Sequence, residues 1–399
     1  MVYAGIDWSD RSFQICFIDQ EAKVLEEFLI KKTNRGFYEL LKRASCYHEI
    51  EFAIETYRSP LVDFLLSQGY QVYWLNPNRL SSFRGRYKTS RVKDDRFDAY
   101  VLAQVLRSDK NSLPLIKPLP KKVERLKLLW NDLEVLLKEQ TRLKNRLSSV
   151  LKEYYPAFLN CFEDPFSSAA LAFLEKYPNP QEAQELSLSD LTAFFKTLHV
   201  YSDSYVLKVH ENLHSSFQVR PILVEVRSYL AQAIAQQLLQ IGRLIKDYEK
   251  RLEKTSQEVE ELRALEGIKG IGLKSRIGIL IYFYHREWKD FREAQAAAGM
   301  SPATYQSGKY HFVHFRKGCI KWARDLFTEL AYSTLLYQPW ARLYYDRKRK
   351  EGKKHYHALR CVGNIWIKIL FKLWKEGKTF KHEKHYIAMI ESLISRLAA

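Results

Sequence analysis

Two long segments carry apolar residues at a seven-residue spacing, and this pattern limits the folds open to the chain more than any other feature. A heptad repeat sustained over several turns predicts long helices that bury one apolar stripe. In 121–152 the two interleaved series are Leu126, Leu133, Gln140 and Leu147, and Leu129, Leu136, Leu143 and Val150. In 224–262 one series is Val224, Ala231, Leu238, Ile245, Leu252 and Val259, and most of the other is Ile234, Ile241, Tyr248 and Leu262. The two helices either pack antiparallel within one chain or form an intermolecular coiled coil, in which Gln140 would set the register.

The residues before this helical region predict an α/β domain. Short β-branched or aromatic segments within 2–31, at 51–56 and at 70–75 are typical of strands. Helices are predicted at 34–46, at 60–67, from residue 77 and at 94–107. Strands in a meander followed by alternating helices and strands form a mixed sheet. The fold class is therefore α/β plus α, and we expect four domains: 1–110, a helical 111–262, a mainly helical 263–345 and a basic extension, 346–399.

The balance of charge indicates a polyanionic partner. The chain has 64 Lys and Arg against 46 Asp and Glu, a formal net charge of +18. Its apolar runs are shorter than the ~18–20 residues of a membrane span, and its N-terminus lacks the pattern of a secretory signal. Five widely spaced cysteines without a CxxC pair are typical of a reducing compartment. The sequence thus predicts a cytoplasmic protein that binds nucleic acid and no membrane.

Three segments are candidates for the contacts with nucleic acid. A glycine-rich turn within 265–280 resembles a helix-hairpin-helix, in which backbone N–H groups at Gly270 and Gly272 would bind a phosphate. The stretch 342–384 is basic and interleaved with Tyr and Trp, as in many nucleic-acid surfaces. The stretch 79–93 supplies the basic side chains Arg79, Arg84, Arg86, Lys88, Arg91 and Lys93.

A few carboxylates stand where the predicted elements would bring them into one cleft. Asp7 lies in the first strand, Glu55 ends a later strand, and Asp95 and Asp98 share one face at the start of a helix. Clustered carboxylates in a basic protein suit Mg²⁺ or Mn²⁺, and two such ions can clamp the oxygens of a phosphodiester. For any single residue the alternative is structural, with Asp7 in a turn and Asp94 or Asp95 capping a helix.

The acidic segments resemble a known family. GIDWS at 5–9, IET at 54–56 and KDDRFDAYVLA at 93–103 are similar to the DEDD transposases of bacterial insertion sequences. These form the insertion-sequence one-ten family, which is related to the pilin-gene invertases and includes bridge-RNA-guided recombinases. The resemblance implies a RuvC-like (RNase H-like) domain at 1–110 with Asp7, Glu55, Asp95 and Asp98 as catalytic metal ligands. Asp94 stands where the family usually has Thr or Ser.

The resemblance continues at 296–327, AAAGMSPATYQSGKYHFVHFRKGCIKWARDLF, which is similar to the family segment A-x-x-G-L-x-P…S-G-G-K…K-x-G-x-x-x-L-R. It implies that Ser307 is the nucleophile, with Ser301 and Thr304 as the nearby alternatives. This chain has one glycine where the family commonly has two, and Ala323 replaces the usual Leu. The resemblance further implies phosphate contacts by Lys309, Arg316, Lys317 and Arg324.

The family resemblance implies a transposase or site-specific recombinase that joins DNA through a phosphoserine intermediate. Its expected partners are Mg²⁺ (or Mn²⁺), donor and target DNA, a bridge RNA, and further copies of itself as a dimer or a tetramer. One protomer's acids would meet another protomer's serine. The alternatives are a RuvC-like metal-dependent nuclease, a DNA invertase without an RNA guide, and a non-catalytic nucleic-acid-binding protein.

Overall fold

A five-stranded mixed sheet forms the N-terminal part of the protein. The computed structural model describes residues 1–56, 59–87, 94–214, 219–307 and 310–380. Lys88, Arg91, Lys93 and Lys309, and the side chain of Arg86, lie outside the described residues. The strands are β1 (Val2–Trp8), β2 (Ser12–Ile18), β3 (Val24–Lys31), β4 (Ile50–Ile54) and β5 (Val72–Trp74). Their order is β3-β2-β1-β4-β5, with β1, β2 and β3 antiparallel and β4 and β5 parallel to β1. The predicted mixed sheet is therefore confirmed.

Helices cover both faces of this sheet. They are α1 (Asn34–Ala44), α2 (Pro60–Ser67), α3 (Pro77–Tyr87) and α4 (Asp95–Asp109), followed by a short 3₁₀ helix, Lys110–Ser112. Alternate residues of β1, namely Val2, Ala4 and Ile6, share one apolar core with α1 and α2. The intervening residues face α4, whose backbone approaches Gly5 closely. The period of two in β1 thus decides which of its side chains reach α4.

Two long helices and a group of short ones form a separate compact unit, Lys121–Gly278. The helices are α5 (Lys121–Tyr154), α6 (Phe158–Cys161), α7 (Ser168–Lys176), α8 (Pro180–Gln184), α9 (Leu188–Thr197), α10 (Asp203–Leu213) and α11 (Pro221–Ser256). Helices α5 and α11 pack antiparallel within the chain, because Glu153 pairs with Arg227 at one end and Lys122 bonds to the carbonyl oxygen of Glu258 at the other. Of the two arrangements that the heptads allow, the structure therefore shows antiparallel packing within one chain.

The buried stripe of α5 departs from a strict heptad. Trp130 is buried, whereas its neighbour Leu129, predicted for the seam, is only half-buried. The indole N–H of Trp130 donates to the carbonyl oxygen of Lys274, 3.1 Å away. The segment 156–221, whose role the sequence does not indicate, forms an aromatic core around Phe158, Phe173 and Phe195.

The C-terminal part is mainly helical. Its elements are α12 (Leu273–Tyr284), α13 (Phe291–Ala297), β6 (Ala303–Ser307), β7 (Tyr310–His314), α14 (Lys321–Thr334), α15 (Pro339–Lys350) and α16 (His355–Glu376). Helix α16 packs on α13, α14 and α15, and the Trp366 indole N–H donates to the hydroxyl of Thr334 at 2.9 Å. Residues 279–378 and Met1–Pro120 are assigned to one compact unit.

Two features of the C-terminal part differ from the expected layout. The expected boundary between 345 and 346 falls inside α15, and α16 belongs to the helical core, so the described part of the basic extension is not an appendage. The element before the glycine-rich turn is a 3₁₀ helix, Glu260–Leu265, rather than an α-helix. Its buried residues Leu262 and Leu265 are three apart, which matches the 3₁₀ period. In the described residues we find no helix that is both long and apolar enough to cross a membrane.

We predict that Gly5→Ala lowers the unfolding midpoint of the protein. A Cβ at this position would overlap the carbonyl oxygen of Ala99 and lie 2.5 Å from the backbone nitrogen of Ala103, and backbone atoms cannot swing aside. The expected cost is about 1–3 kcal/mol or more. Thermal denaturation followed by circular dichroism measures it.

The matched control is Gly242→Ala in α11, where an added Cβ meets nothing within 4 Å. Because alanine favours a helix interior by about 1 kcal/mol over glycine, this variant should be as stable as the parent or slightly more so. Equal midpoints for the two variants would contradict the close approach of β1 and α4.

Candidate metal centre and nucleic-acid interface

Strand β1 carries Asp7 to the side of the sheet that α4 covers. Asp7 follows Gly5 by two residues and so lies on the same face. It is only 5% exposed, and its partner in the antiparallel register of β2 is Gln14. A buried carboxylate at a strand end requires compensating charge or hydrogen bonds, which makes Asp7 a candidate site residue.

Helix α4 begins at the site and contributes two more carboxylates. Asp94 is its N-cap, and the Asp94 side chain accepts a hydrogen bond from the backbone N–H of Arg96 at 3.1 Å. Asp95 and Asp98 lie in the first turn, where the helix dipole favours negative charge. Among the described residues, ligand atoms of Asp7, Asp95 and Asp98 lie within 4.8 Å of one another. Asp95 joins this group, whereas Asp94 caps the helix.

Glu55 lies near this group but is not one of its members. It directly follows Ile54, which pairs with Ile6 in the parallel register of β1 and β4. The carboxyl ends of parallel strands meet at one edge of a sheet, so Glu55 and Asp7 occupy the same edge. Glu55 is half-buried, and its carbonyl oxygen accepts a hydrogen bond from the Trp74 indole at 2.7 Å.

Arg84 of α3 supplies a counter-charge to the group. Its guanidinium forms an ion pair with Asp98 between Nε and Oδ1, and its Nη2 donates a hydrogen bond to Oδ2 at 2.5 Å. Asp98 is 1% exposed, and a carboxylate so buried is stable only when it is paired. Arg84, predicted to contact nucleic acid, therefore bonds to a carboxylate of the acidic group in this structure.

The donor set fits a hard divalent cation. It consists only of carboxylate oxygens, and one of the three residues, Asp95, is exposed. Mg²⁺ prefers oxygen ligands and usually keeps water or substrate phosphate in the rest of its coordination sphere, which an exposed side of the site permits. Asp7, Asp95 and Asp98 are the residues that would hold it.

An open pocket of about 650 Å³ adjoins Asp95. It lies between the β2–β3 part of the sheet and the start of α4, and such a volume is typical of small-molecule or nucleotide sites. Its lining consists of Gln14, Glu27, Phe28, Leu29, Asp94, Asp95 and Arg96. Sequence reasoning missed Gln14 and Glu27. The available signal was Gln14 as a polar residue in the otherwise apolar strand SFQICF.

Ser307 lies on a different element from the aspartates. It is the exposed last residue of β6, and its partner across the hairpin is Tyr310. The alternatives are placed differently: Thr304 lies on the other face of β6, and Ser301 precedes the strand and is half-buried. The backbone therefore presents Ser307 to solvent at the end of the hairpin.

Arginines brace the base of this hairpin. Arg316 donates to the carbonyl oxygens of Ser301 and Pro302, at 3.2 and 3.0 Å, and Arg324 donates to the carbonyl oxygen of Arg316. These two predicted phosphate contacts thus also hold the backbone, while Lys317 is exposed. The guanidinium carbons of Arg324 and Arg360 lie 4.4 and 4.7 Å from the centroid of the Phe315 ring.

Arg360 is a basic residue that sequence reasoning did not single out. Burial, and then the neighbouring charge of Arg324, lower the pKa of its guanidinium. Two cations around one aromatic ring are suited to an anion such as a phosphate. The only signal in the sequence was its place within the basic stretch 342–384.

The remaining predicted contacts have distinct environments. Gly270 has a left-handed backbone (φ 95°), and α12 begins directly after Gly272, so the turn presents a helix N-terminus as the glycine pattern predicts. Arg79 bonds through its guanidinium to the backbone oxygen and the hydroxyl of Ser112, at 3.3 and 3.2 Å.

Comparison with known families accounts for both ends of the chain. A transposase family model named for the DEDD group and IS110 matches residues 4–156, which include the acidic group. A second model, described as the transposase IS116/IS110/IS902 family, matches residues 262–346, which include Ser307. The chain belongs to the IS110 family of DEDD transposases. It is a DNA transposase, and its activity is transposition by recombination of DNA.

Full-length relatives agree with this assignment. "Mini-circle putative transposase for IS117" from Streptomyces coelicolor is 26% identical over 98% of this chain and 98% of the relative. "Insertion element IS116 uncharacterized 44.8 kDa protein" from Streptomyces clavuligerus is 23% identical over 95% of this chain and 96% of the relative. The similarity to both relatives therefore extends across residues 157–261, which neither family model covers.

We predict that Mg²⁺ raises the thermal midpoint of the parent transposase and that Asp95→Asn largely removes this effect. A ligand that binds only the folded state stabilises it, and Asp95→Asn takes one anionic ligand from the group. Arg84→Gln should enlarge the Mg²⁺-dependent shift, because it frees Asp98 from its ion pair. Differential scanning fluorimetry with and without Mg²⁺ measures both.

The matched control is Asp63→Asn, which removes an exposed carboxylate in the first turn of α2. It should keep the full Mg²⁺-dependent shift. An unchanged shift in Asp95→Asn would show that the cation acts elsewhere.

Proposed function

We propose that this transposase cuts and rejoins DNA by attack of Ser307 on a phosphodiester, assisted by divalent metal at Asp7, Glu55, Asp95 and Asp98 of a RuvC-like domain. The observation that carries the proposal is the convergence of Asp7, Asp95 and Asp98 beside an open pocket. The exposed Ser307 in a segment that a transposase model matches supports the choice of nucleophile.

The acidic group would prepare the phosphodiester for attack. Bound Mg²⁺ would neutralise charge that develops on the phosphate oxygens and lower the pKa of an attacking hydroxyl. Asp7 and Asp98, both buried, hold fixed positions, while the exposed Asp95 faces the side from which DNA can enter. The pocket of about 650 Å³ next to Asp95 has room for the nucleotide beside the reacting phosphate.

The serine step is a transesterification. The Ser307 oxygen loses its proton and forms a bond to phosphorus, the bond from phosphorus to one sugar oxygen breaks, and that oxygen leaves as a hydroxyl. The product is a phosphoserine, which conserves the energy of the ester. Attack on it by the hydroxyl end of a different strand releases Ser307 and joins the DNA.

We further propose that the active assembly is an oligomer in which the acids of one protomer act with the Ser307 of another. Helices α5 and α11 pack with each other inside the chain, so an oligomer contact made by these helices would use their outer faces. Helix α11 exposes an apolar stripe of Ile222, Val226 and Tyr229, which are 65, 58 and 77% exposed. This spacing places the three residues on one helix face, as in a helix–helix contact.

A bridge RNA from the element is proposed as the guide, and family membership supports it. The partner surfaces would be the basic residues of 79–93 and the charged part of 342–384. The proposed compartment is the reducing cytoplasm. In its support, all five cysteines are free, and burial raises the pKa of Cys16 and of Cys161 to about 12.

We predict that Ser307→Ala abolishes the covalent protein–DNA adduct and strand exchange. Denaturing gels of the protein incubated with labelled element-end DNA and Mg²⁺ reveal the adduct. Asp7→Asn should lose both cutting and adduct, because it removes a carboxylate from the acidic group.

Thr304→Val is the matched control, since Thr304 is an exposed hydroxyl on the other face of the same strand. It should retain the adduct. If Ser307→Ala still cuts DNA at the parent rate, the protein acts as a metal-dependent nuclease instead.

We also predict that Val226→Asp together with Tyr229→Asp shifts the protein to a smaller assembly. Two carboxylates on the apolar stripe would have to be desolvated in any contact that buries it. Size-exclusion chromatography with light scattering reports the mass. As a control, Glu249→Gln alters an exposed residue of α11 that lies 20 positions beyond Tyr229, and its assembly should match the parent's.

A further inference from the structure

One face of the β6–β7 hairpin is a ladder of exposed aromatic rings. Tyr310, Phe312 and His314 alternate along β7, so their side chains lie on one face. The rings of Tyr310 and Phe312 are 6.2 Å apart between centroids and inclined by 7°, and those of Phe312 and His314 are 6.1 Å apart and inclined by 23°. Tyr310 is 69% and Phe312 50% exposed. We call these three residues and Tyr305 the aromatic ladder.

The ladder shares its face with Ser307. In an antiparallel pair, residues directly opposite each other point to the same side of the sheet. Tyr305 is opposite Phe312 and Ser307 is opposite Tyr310. Tyr305 is 60% exposed. Ala303 is opposite His314 and lies on this face as well, whereas Thr304, Gln306 and Val313 belong to the opposite face, so among the described side chains the aromatic character is one-sided.

The spacing of the rings is close to twice the thickness of a nucleic-acid base. Alternate strand residues advance by about 6.6 Å, which is close to twice the ~3.4 Å rise of one nucleotide in a strand. The observed separation of 6.2 Å between the nearly parallel rings of Tyr310 and Phe312 is about 0.6 Å short of the two ~3.4 Å stacking intervals that one inserted base needs, so a small movement of these exposed rings admits it. In a protein core, by contrast, other side chains would fill the gaps between such rings.

The surrounding charge favours a polyanion as the occupant. From Ala294 to Arg324 the sequence contains no Asp or Glu, and Arg316 and Lys317 directly follow the ladder and Phe315. A second copy of this chain would bring its own basic hairpin against this one, which like charges oppose. Stacking on aromatic rings beside basic residues is how single-stranded nucleic acid is held.

We propose that the aromatic ladder stacks unpaired bases of the DNA strand that Ser307 attacks. Bases next to the reacting phosphate would leave the duplex and insert along Tyr305, Tyr310, Phe312 and His314, which would fix the phosphate beside the serine. The claim that the bound strand is the one Ser307 attacks rests on the proposed function. The claim that bases stack on the aromatic ladder does not.

The test measures binding of the full-length protein to a short single-stranded DNA oligonucleotide that carries 2-aminopurine, and to the same sequence as a duplex. Phe312→Leu should weaken binding to the single strand about tenfold and reduce the quenching of 2-aminopurine, because one stacking ring is lost. Phe312→Trp should restore both. Binding to the duplex and the salt dependence of binding should not change, since no phosphate contact is removed.

Val313→Ala is the matched control, because Val313 is 59% exposed on the same strand but belongs to the opposite face. It should bind single-stranded DNA as the parent does. The proposal is overturned if Phe312→Leu keeps parent affinity and quenching, if both variants weaken single strand and duplex alike, or if Phe312→Leu mainly changes the assembly mass. A tenfold preference for RNA of the same sequence would also overturn the assignment to DNA.

These measurements separate the two proposals. Binding and quenching are measured without catalysis. If Phe312→Leu weakens binding to the single strand as expected but Ser307→Ala still forms adducts, only the serine assignment is refuted. Loss of the adduct in Ser307→Ala together with unaltered binding in Phe312→Leu would refute only the ladder.

Discussion

The close approach of β1 to α4 at Gly5 is the constraint on which the acidic site depends. A residue with a side chain at this point would push the helix away from the sheet, because the atoms that face Gly5 are backbone atoms of α4. The same contact fixes the distance from Asp7, two residues along β1, to the first turn of α4. Three carboxylates gather because one glycine lets a strand and a helix touch.

Buried carboxylates that lie close together repel one another, and a nearby cation reduces this repulsion. In this structure the cation nearest Asp98 is the guanidinium of Arg84. A divalent ion at the same carboxylates would compete with that ion pair, so Arg84 would stabilise the acidic group without metal and oppose metal binding. Arg84 comes from α3, within the basic stretch 79–93, and so links the acidic group to the segment predicted to contact nucleic acid.

The spacing of apolar residues predicted the architecture well where a segment followed a single period, either two residues or seven. The mixed sheet, the two long helices and the start of α4 all follow from alternation, heptads and an N-cap. The roles of Arg84 and Arg316 could not be predicted, because a basic residue in a sequence does not reveal whether its partner is a phosphate, a carboxylate or a backbone carbonyl. Trp130 is more buried than Leu129, and its indole bonds to the carbonyl oxygen of Lys274, a partner distant in sequence that a heptad pattern does not indicate.

The antiparallel packing of α5 and α11 has a consequence for how such chains can change. The helices α6–α10 leave the end of α5 and return to the start of α11, whose ends already meet through Glu153 and Arg227. An excursion whose two ends are held together can lengthen at little entropic cost, since closure of a longer loop adds only about 0.6 kcal/mol per doubling. Added residues are therefore best tolerated in the turns between the short helices, whereas the helices themselves must stay, because Phe158 and Phe173 share one core with Leu147 of α5 and Leu238 of α11.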